Sequence, residues 1–396
     1  LRLLIYTGKG GTGKTVSACS TGIKTSDNGY LTLLISSDPA HTLSEAVMVN
    51  EIQSGKPTEI LSNLYAIQID PINEIDEQFN VILTYLASSL MSKGLDKTLS
   101  YEIAMMPGMT QVLTLLKIEE YIKTREFDTI VLDMPASGEA LRYLYFPKLM
   151  GSLSRRFTSG VGGIFTGLTK LFQPLFSTTS FIPSNVINKE IEFVRRLEAL
   201  SEIIIDPTIT SIRVVANPDT FSIENAKRTV MSANLYGINV DMVIINKIIP
   251  TSPSKDEFFV NWAHRQNVLL TEAKSSFYPL AVREIPLYEQ ELKGIEMLRR
   301  NAQVLFGDED PRDILYKRKI FDFTTNNTGL TMKLKVPFTE KENFLVEHSS
   351  DRLIVKVKTQ VGYVVNVIPL PVATMGMKIN RSNLSNGELI VFFEKP

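Results

Sequence analysis

The sequence has 396 residues, 44% of them hydrophobic and 21% charged, with a formal net charge of −1. Those fractions are ordinary for a globular protein, and a near-zero net charge excludes a bulk field that would draw the chain to nucleic acid or an anionic membrane. The single cysteine excludes an intrachain disulfide and a Cys-rich zinc centre within one chain, so no zinc is expected. The apolar runs fall short of the roughly 18 residues that a spanning helix needs, so no integral membrane segment is expected. With no basic leader and no cleavage site at the start, a soluble cytoplasmic chain is expected.

In chain order, short apolar runs alternate with helical stretches. The strand candidates are LRLLIY (1–6), LTLLIS (31–36), LYAIQI (64–69), TIVLD (129–133), SIRVVA (211–216), VDMVIIN (240–246) and a run near Ile285. Near-continuous apolar character means that both faces are covered, which suits a mostly parallel, doubly wound α/β sheet. Two inserts, about 71–125 and 147–205, interrupt this rhythm and read as a helical subdomain set over one edge of the sheet. This first domain is expected over 1–306, followed by a polar linker at 307–319.

From 320 to 396 the chain alternates with period two. Leu330, Met332, Leu334 and Val336 share one face, whereas Thr331, Lys333 and Lys335 share the other. Turn formers such as NNTG and SNG separate the segments, so a small all-β sandwich is expected there.

Residues Gly8-Lys9-Gly10-Gly11-Thr12-Gly13-Lys14-Thr15 satisfy G-x-x-x-x-G-K-[ST], with an apolar strand before and a helix after. The glycines let backbone N–H groups turn onto phosphates, aided by the helix N-terminus. Lys14 would then reach the β- and γ-phosphates, and the Thr15 hydroxyl would ligate Mg²⁺. The loop therefore predicts ATP and Mg²⁺ as cofactors. Lys9 is a second cation in the loop, either a solvated lysine or one with a role of its own.

The form GKGGxGKT resembles the deviant phosphate loop of a family of dimerising ATPases. In that family the first lysine, here Lys9, reaches the partner subunit's nucleotide, so the resemblance implies a homodimer. SSDPAHTLSEA (36–46) resembles the switch I segment of the arsenite-pump and tail-anchored-protein-targeting ATPases. It implies that Asp38 orients the attacking water; Asp38 could also cap the following helix, but only the functional reading explains the full string. DMPASGEALR (133–142) resembles switch II of the same family and implies that Asp133 holds Mg²⁺ through water. Three further resemblances concern the nucleotide. Asp219, in VVANPDTFSIENAKR, would approach it across the interface. Asn246 would contact adenine, and Pro286 and Leu287 would pack on the base.

The segment GGIFTGLTKLFQPLF offers Phe165, Leu168, Leu171, Phe172 and Phe176 as a groove for an apolar client helix, or as ordinary subdomain core or dimer contact. Arsenite coordination needs several soft thiolates, and Cys19 stands alone, so arsenite stimulation is not expected. The C-terminal strands, ending in GELIV, resemble the α-crystallin-like module of small heat-shock proteins. The resulting expectation is a Mg²⁺-dependent homodimeric ATPase that targets a hydrophobic protein client. The alternatives are an arsenite-efflux ATPase subunit and a holdase acting through the β domain.

Overall fold

The computed structural model describes residues 1–37, 42–69, 109–135, 141–145, 147–148, 184–250, 257–317, 321–326, 329–349, 352–360, 362–371, 374 and 377–394. Asp38, the groove residues Phe165, Leu168, Leu171, Phe172 and Phe176, and much of the helical insert lie outside these.

Eight strands form one sheet: β1 (Arg2–Thr7), β2 (Thr32–Ser36), β3 (Thr58–Leu61), β4 (Leu64–Gln68), β5 (Thr129–Asp133), β6 (Thr210–Ala216), β7 (Val240–Ile248) and β8 (Ala281–Pro286). Their order is β3-β4-β2-β5-β1-β6-β7-β8. Every neighbouring pair is parallel except β3 with β4. The chain leaves β1 for β2 and β4 on one side, then returns through β5 and crosses to β6 on the other. The sheet therefore changes winding direction at β1, and the crevice beyond its carboxyl end is where such folds bind ligands.

Period-two alternation sorts the strand residues between two cores. Leu3, Ile5, Leu33, Ile35, Ile130 and Leu132 face one side, with residues from α3 (Met109–Thr124), α4 (Ser184–Ile205), α5 (Thr220–Tyr236) and α6 (Glu257–Phe277) packed on them. Leu4, Tyr6, Leu34, Val131 and Ile244 face the other, under α1 (Lys14–Asp27), α2 (Thr42–Val47) and α7 (Ile295–Phe306). Leu115, Leu116 and Ile118 of α3 and Leu197 and Leu200 of α4 join the same core as the sheet. These parts of the expected helical insert thus cover the sheet face.

Helix α1 is rich in Ser and Thr yet buried along much of its length. Its hydroxyls bond back to its own carbonyls: Ser20 to Val16, Thr21 to Ser17 and Thr25 to Thr21, at 2.7–2.8 Å. With their donors satisfied, these small side chains let α7 approach closely. Asn301 of α7 completes the contact by donating to Ser20 Oγ at 2.9 Å.

The second region is an antiparallel sandwich. One sheet runs β14 (Lys378–Ser385), β15 (Glu388–Glu394), β10 (Gly329–Lys335), β9 (Phe321–Asn326); the other runs β11 (Phe344–Ser349), β12 (Arg352–Thr359), β13 (Gly362–Pro369). Leu330, Met332, Leu334 and Val336 are buried in it, opposite Leu353, Val355 and Val357. Asn386 and Gly387 both have φ near +60° and form the two-residue turn joining β14 to β15, as a tight hairpin requires.

This sandwich docks on α5. Met231 and Leu235 of that helix belong to the sandwich core. Asn366, fully buried, donates to Leu235 O, and Val367 N donates to Tyr145 Oη at 3.0 Å. The segment expected as a linker is fastened across the amino-terminal side of the sheet. Pro311 O accepts from Arg213 Nη2 at 2.5 Å, Arg312 O from Arg2 Nε at 2.8 Å, and Tyr316 O from Asn239 Nδ2 at 2.9 Å.

Arg213 and Asp241 are both fully buried, with Arg213 Nε 3.4 Å from Asp241 Oδ1. Burial pulls the Arg2 guanidinium down to about 10, so it stays cationic at neutral pH, 3.9 Å from Asp241. Asp241 is thus a carboxylate shared by two buried guanidiniums, and removing it takes this counter-ion from both. We expect Asp241→Ala to cost about 3–5 kcal/mol, measured by urea unfolding followed through a signal of the α/β domain. A loss below about 1 kcal/mol would show that the arginines are compensated elsewhere.

Candidate functional site

Strand β1 delivers the Gly8–Thr15 loop to the carboxyl edge of the sheet, and α1 starts at Lys14 with Gly13 in the left-handed region (φ 93°). Several of the loop's carbonyls have hydrogen-bond partners. Lys9 O accepts from Thr12 Oγ1 at 2.8 Å and from Lys14 Nζ at 3.3 Å. Thr12 O accepts from Asn246 Nδ2 at 2.8 Å, Gly11 O from Lys247 Nζ at 2.8 Å, and Gly13 O from Ser17 N at 3.0 Å. An anionic phosphate needs donors, so a loop with engaged carbonyls suits it.

Thr15 Oγ1 donates to Asp133 Oδ2 at 2.7 Å, and Asp133 is fully buried at the end of β5. A hydroxyl and a carboxylate brought together at the mouth of a phosphate loop are hard oxygen donors, and they fit a hydrated Mg²⁺.

A cleft of about 650 Å³ opens from this loop, a size suited to a small organic ligand. Gly11, Gly13, Lys14 and Thr15 of the loop line it, together with Asn246 and Lys247 of β7. The stretch from Pro286 to Lys293 also lines it, so the expected Pro286 and Leu287 are brought to the cleft. Lys14 is buried, 5% exposed, whereas Lys9 is exposed and its ammonium has no hydrogen-bond or ionic partner among the described residues.

Two expected residues are engaged locally. Asp219 is the N-cap of α5, its Oδ1 accepting from Ser222 N at 2.9 Å, and it does not line the cleft. Asn246 has one amide N–H on Thr12 O, and its oxygen accepts from Lys247 N at 2.8 Å. It can therefore offer a base one further N–H and one further lone pair. Strand β7 also continues past Asn246 to Ile248, with a register shift between Ile245 and Ile248.

Lys247, Tyr288 and Lys293 line the cleft without having been singled out in the sequence. The only signal for Lys247 is its place directly after Asn246. Tyr288 and Lys293 lie in IPLYEQELKG (285–294), the stretch that resembles the family's adenine-flanking loop through Pro286 and Leu287.

Gly13 has no room for a side chain: a Cβ there would lie 2.2 Å from Asn246 Nδ2, on a backbone with positive φ. Gly13→Ala should weaken ATP binding by at least about 2 kcal/mol, some thirtyfold. Equilibrium titration with a fluorescent ATP analogue would measure it, and an unchanged affinity would mean that the loop can open at no cost.

Comparison with known proteins adds two family matches and several relatives. Residues 1–307 match the family described as anion-transporting ATPase, and residues 327–393 match an HSP20-like domain found in ArsA. Relatives include "Putative arsenical pump-driving ATPase 1" of Aquifex aeolicus, 30% identical over 99% of this chain and 100% of its own. "Putative arsenical pump-driving ATPase" of Prosthecochloris vibrioformis is 30% identical over 96% of this chain and 92% of its own. "ATPase ASNA1 homolog" of Dictyostelium discoideum is 27% identical over 78% of this chain and 91% of its own. With its tied phosphate loop, its Thr15–Asp133 pair and a cleft of nucleotide size, the chain belongs to the anion-transporting ATPase family and is an ATP-hydrolysing enzyme carrying an HSP20-like domain.

Proposed function

We propose that this ATPase works as a homodimer whose hydrolysis drives export of an anion through a separate membrane partner. The relatives that match nearly end to end are named as arsenical pump-driving ATPases, and this supports the pump reading over delivery of an apolar protein client. Among the described residues no helix is long and apolar enough to cross a membrane, so the passage itself is assigned to a partner.

The observation that carries the dimer is Lys9. In the proposed arrangement, Lys14 neutralises the β- and γ-phosphates of its own nucleotide. Thr15 and Asp133 hold Mg²⁺, which screens the phosphate charge. Asp38 orients the attacking water. The exposed Lys9 ammonium adds its charge at the partner's γ-phosphate once two chains close, where it stabilises charge that develops in the transition state. Asp219, at the same edge of the sheet, approaches the partner's nucleotide, while Asn246, Pro286 and Leu287 hold the base.

The sequence has one cysteine, and Cys19 is fully buried in the core behind the loop. Burial, and then the nearby Asp133 carboxylate, push its thiol well above the ordinary range, so it stays protonated. A protonated, enclosed thiol is no ligand for arsenite. We therefore assign anion recognition to the membrane partner. The same observation favours a second reading, in which the client is an apolar protein segment and no anion is involved.

Lys9→Ala should leave ATP affinity within about twofold and lower turnover by about 10³-fold, the scale of a cation supplied in trans. The pump reading is tested by intracellular arsenic in arsenite-challenged cells expressing either form. Lower arsenic with the wild type alone supports it, and equal arsenic in both overturns it. Turnover stimulated by an apolar helix peptide, with arsenic unaffected, would establish the second reading instead.

A further inference from the structure

We propose that Lys247 is a positioning residue for nucleotide binding, acting through the backbone of the phosphate loop. The inference uses the ATPase activity and is independent of what that activity drives.

Asn246 and Lys247 are consecutive residues near the end of β7, and in a regular strand their side chains would point to opposite faces. Here both reach the same loop, and they bond consecutive carbonyls: Asn246 Nδ2 to Thr12 O and Lys247 Nζ to Gly11 O, each at 2.8 Å. The backbone makes this possible. Lys247 has φ +62°, a conformation that non-glycine residues adopt rarely, and the β7–β8 register shifts across this point. The Asn246 oxygen braces the distortion by accepting from Lys247 N. A strained lysine whose ammonium stitches a ligand loop is the kind of place where backbone strain serves a site.

The consequence follows from the planar trans peptide, in which C=O and the next N–H point opposite ways. Holding Gly11 O against Lys247 turns the Thr12 N–H the other way. Holding Thr12 O against Asn246 does the same for the Gly13 N–H. Lys247 therefore keeps one loop peptide oriented for a phosphate before the phosphate arrives. Since ATP and ADP both occupy the loop, the contact should help ground state and transition state alike, which appears in KM rather than kcat.

Three variants separate side chain from backbone. Lys247→Gly accepts the left-handed backbone and removes the ammonium; Lys247→Met removes the ammonium and keeps the strain; Lys247→Arg keeps a donor. We expect Lys247→Gly to melt at or above the wild-type temperature. Its KM for ATP and its Kd for ADP should rise about fivefold, the worth of one exposed hydrogen bond from a charged donor, with kcat within twofold. Lys247→Met should show the same rise in KM, and Lys247→Arg should stay within twofold of wild type. The proposal is overturned if Lys247→Gly and Lys247→Met keep wild-type KM and Kd, or if kcat falls while KM holds.

Discussion

The nucleotide cleft depends on where the phosphate loop's carbonyl oxygens go. A loop that receives an anion must present N–H groups, and each carbonyl left facing inward would repel what the loop is built to hold. The carbonyls of Lys9, Gly11, Thr12 and Gly13 are all bonded, to Thr12 and Lys14, to Lys247, to Asn246 and to Ser17 in turn. Two of these donors come from β7, more than 230 residues along the chain. The sheet thus brings a distant strand end to fix a local loop, and the order β5-β1-β6-β7 is what sets that strand end within reach.

The opposite side of the same sheet solves a different problem. Arg2 and Arg213 are buried charges, and burying a charge is tolerated only with partners. Asp241, Tyr6, Ser211 and the carbonyls of Ile209, Pro311 and Arg312 supply them. Because two of those carbonyls lie in the 307–317 stretch, the guanidiniums can be satisfied only when that stretch lies across the sheet. The path toward the β sandwich is fastened by the electrostatic needs of the ATPase core.

Much of this was legible in the sequence. The strands β1, β2, β4, β5, β6 and β7 are near-continuous apolar runs because both faces of the sheet are covered. The loop's glycines and lysines follow a pattern whose chemistry needs those residues at those spacings. The sandwich showed in the alternation of Leu330, Met332, Leu334 and Val336, all of which are buried. Strand β3 escaped notice because it is an antiparallel edge, only partly buried, with the unremarkable sequence TEIL. Arg213 and Asp241 look like surface charges in any strand pattern, since no period reveals that a charge has a buried partner. Lys247 was hidden for a related reason: its role comes from a backbone distortion that alternation would place on the wrong face.

Helix α5 joins these parts. Its N-terminus is capped by Asp219, just beyond the end of β6 and beside the strand that delivers the phosphate loop. Its other end contributes Met231 and Leu235 to the sandwich core, and its Leu235 carbonyl accepts from buried Asn366. A helix of 17 residues spans about 25 Å and does not bend at its middle without a break in its hydrogen bonds. No proline or glycine interrupts α5. Any displacement of Asp219 must therefore either reach Met231 and Leu235 or break the cap. Breaking the cap would cost about 1 kcal/mol, whereas separating the apolar contacts at the far end would cost about as much for each side chain uncovered. With two apolar side chains at the far end, the cap is the weaker of the two attachments of α5. A displacement of Asp219 small enough to keep the cap is therefore carried along the helix to the sandwich, and a larger one is lost at the cap.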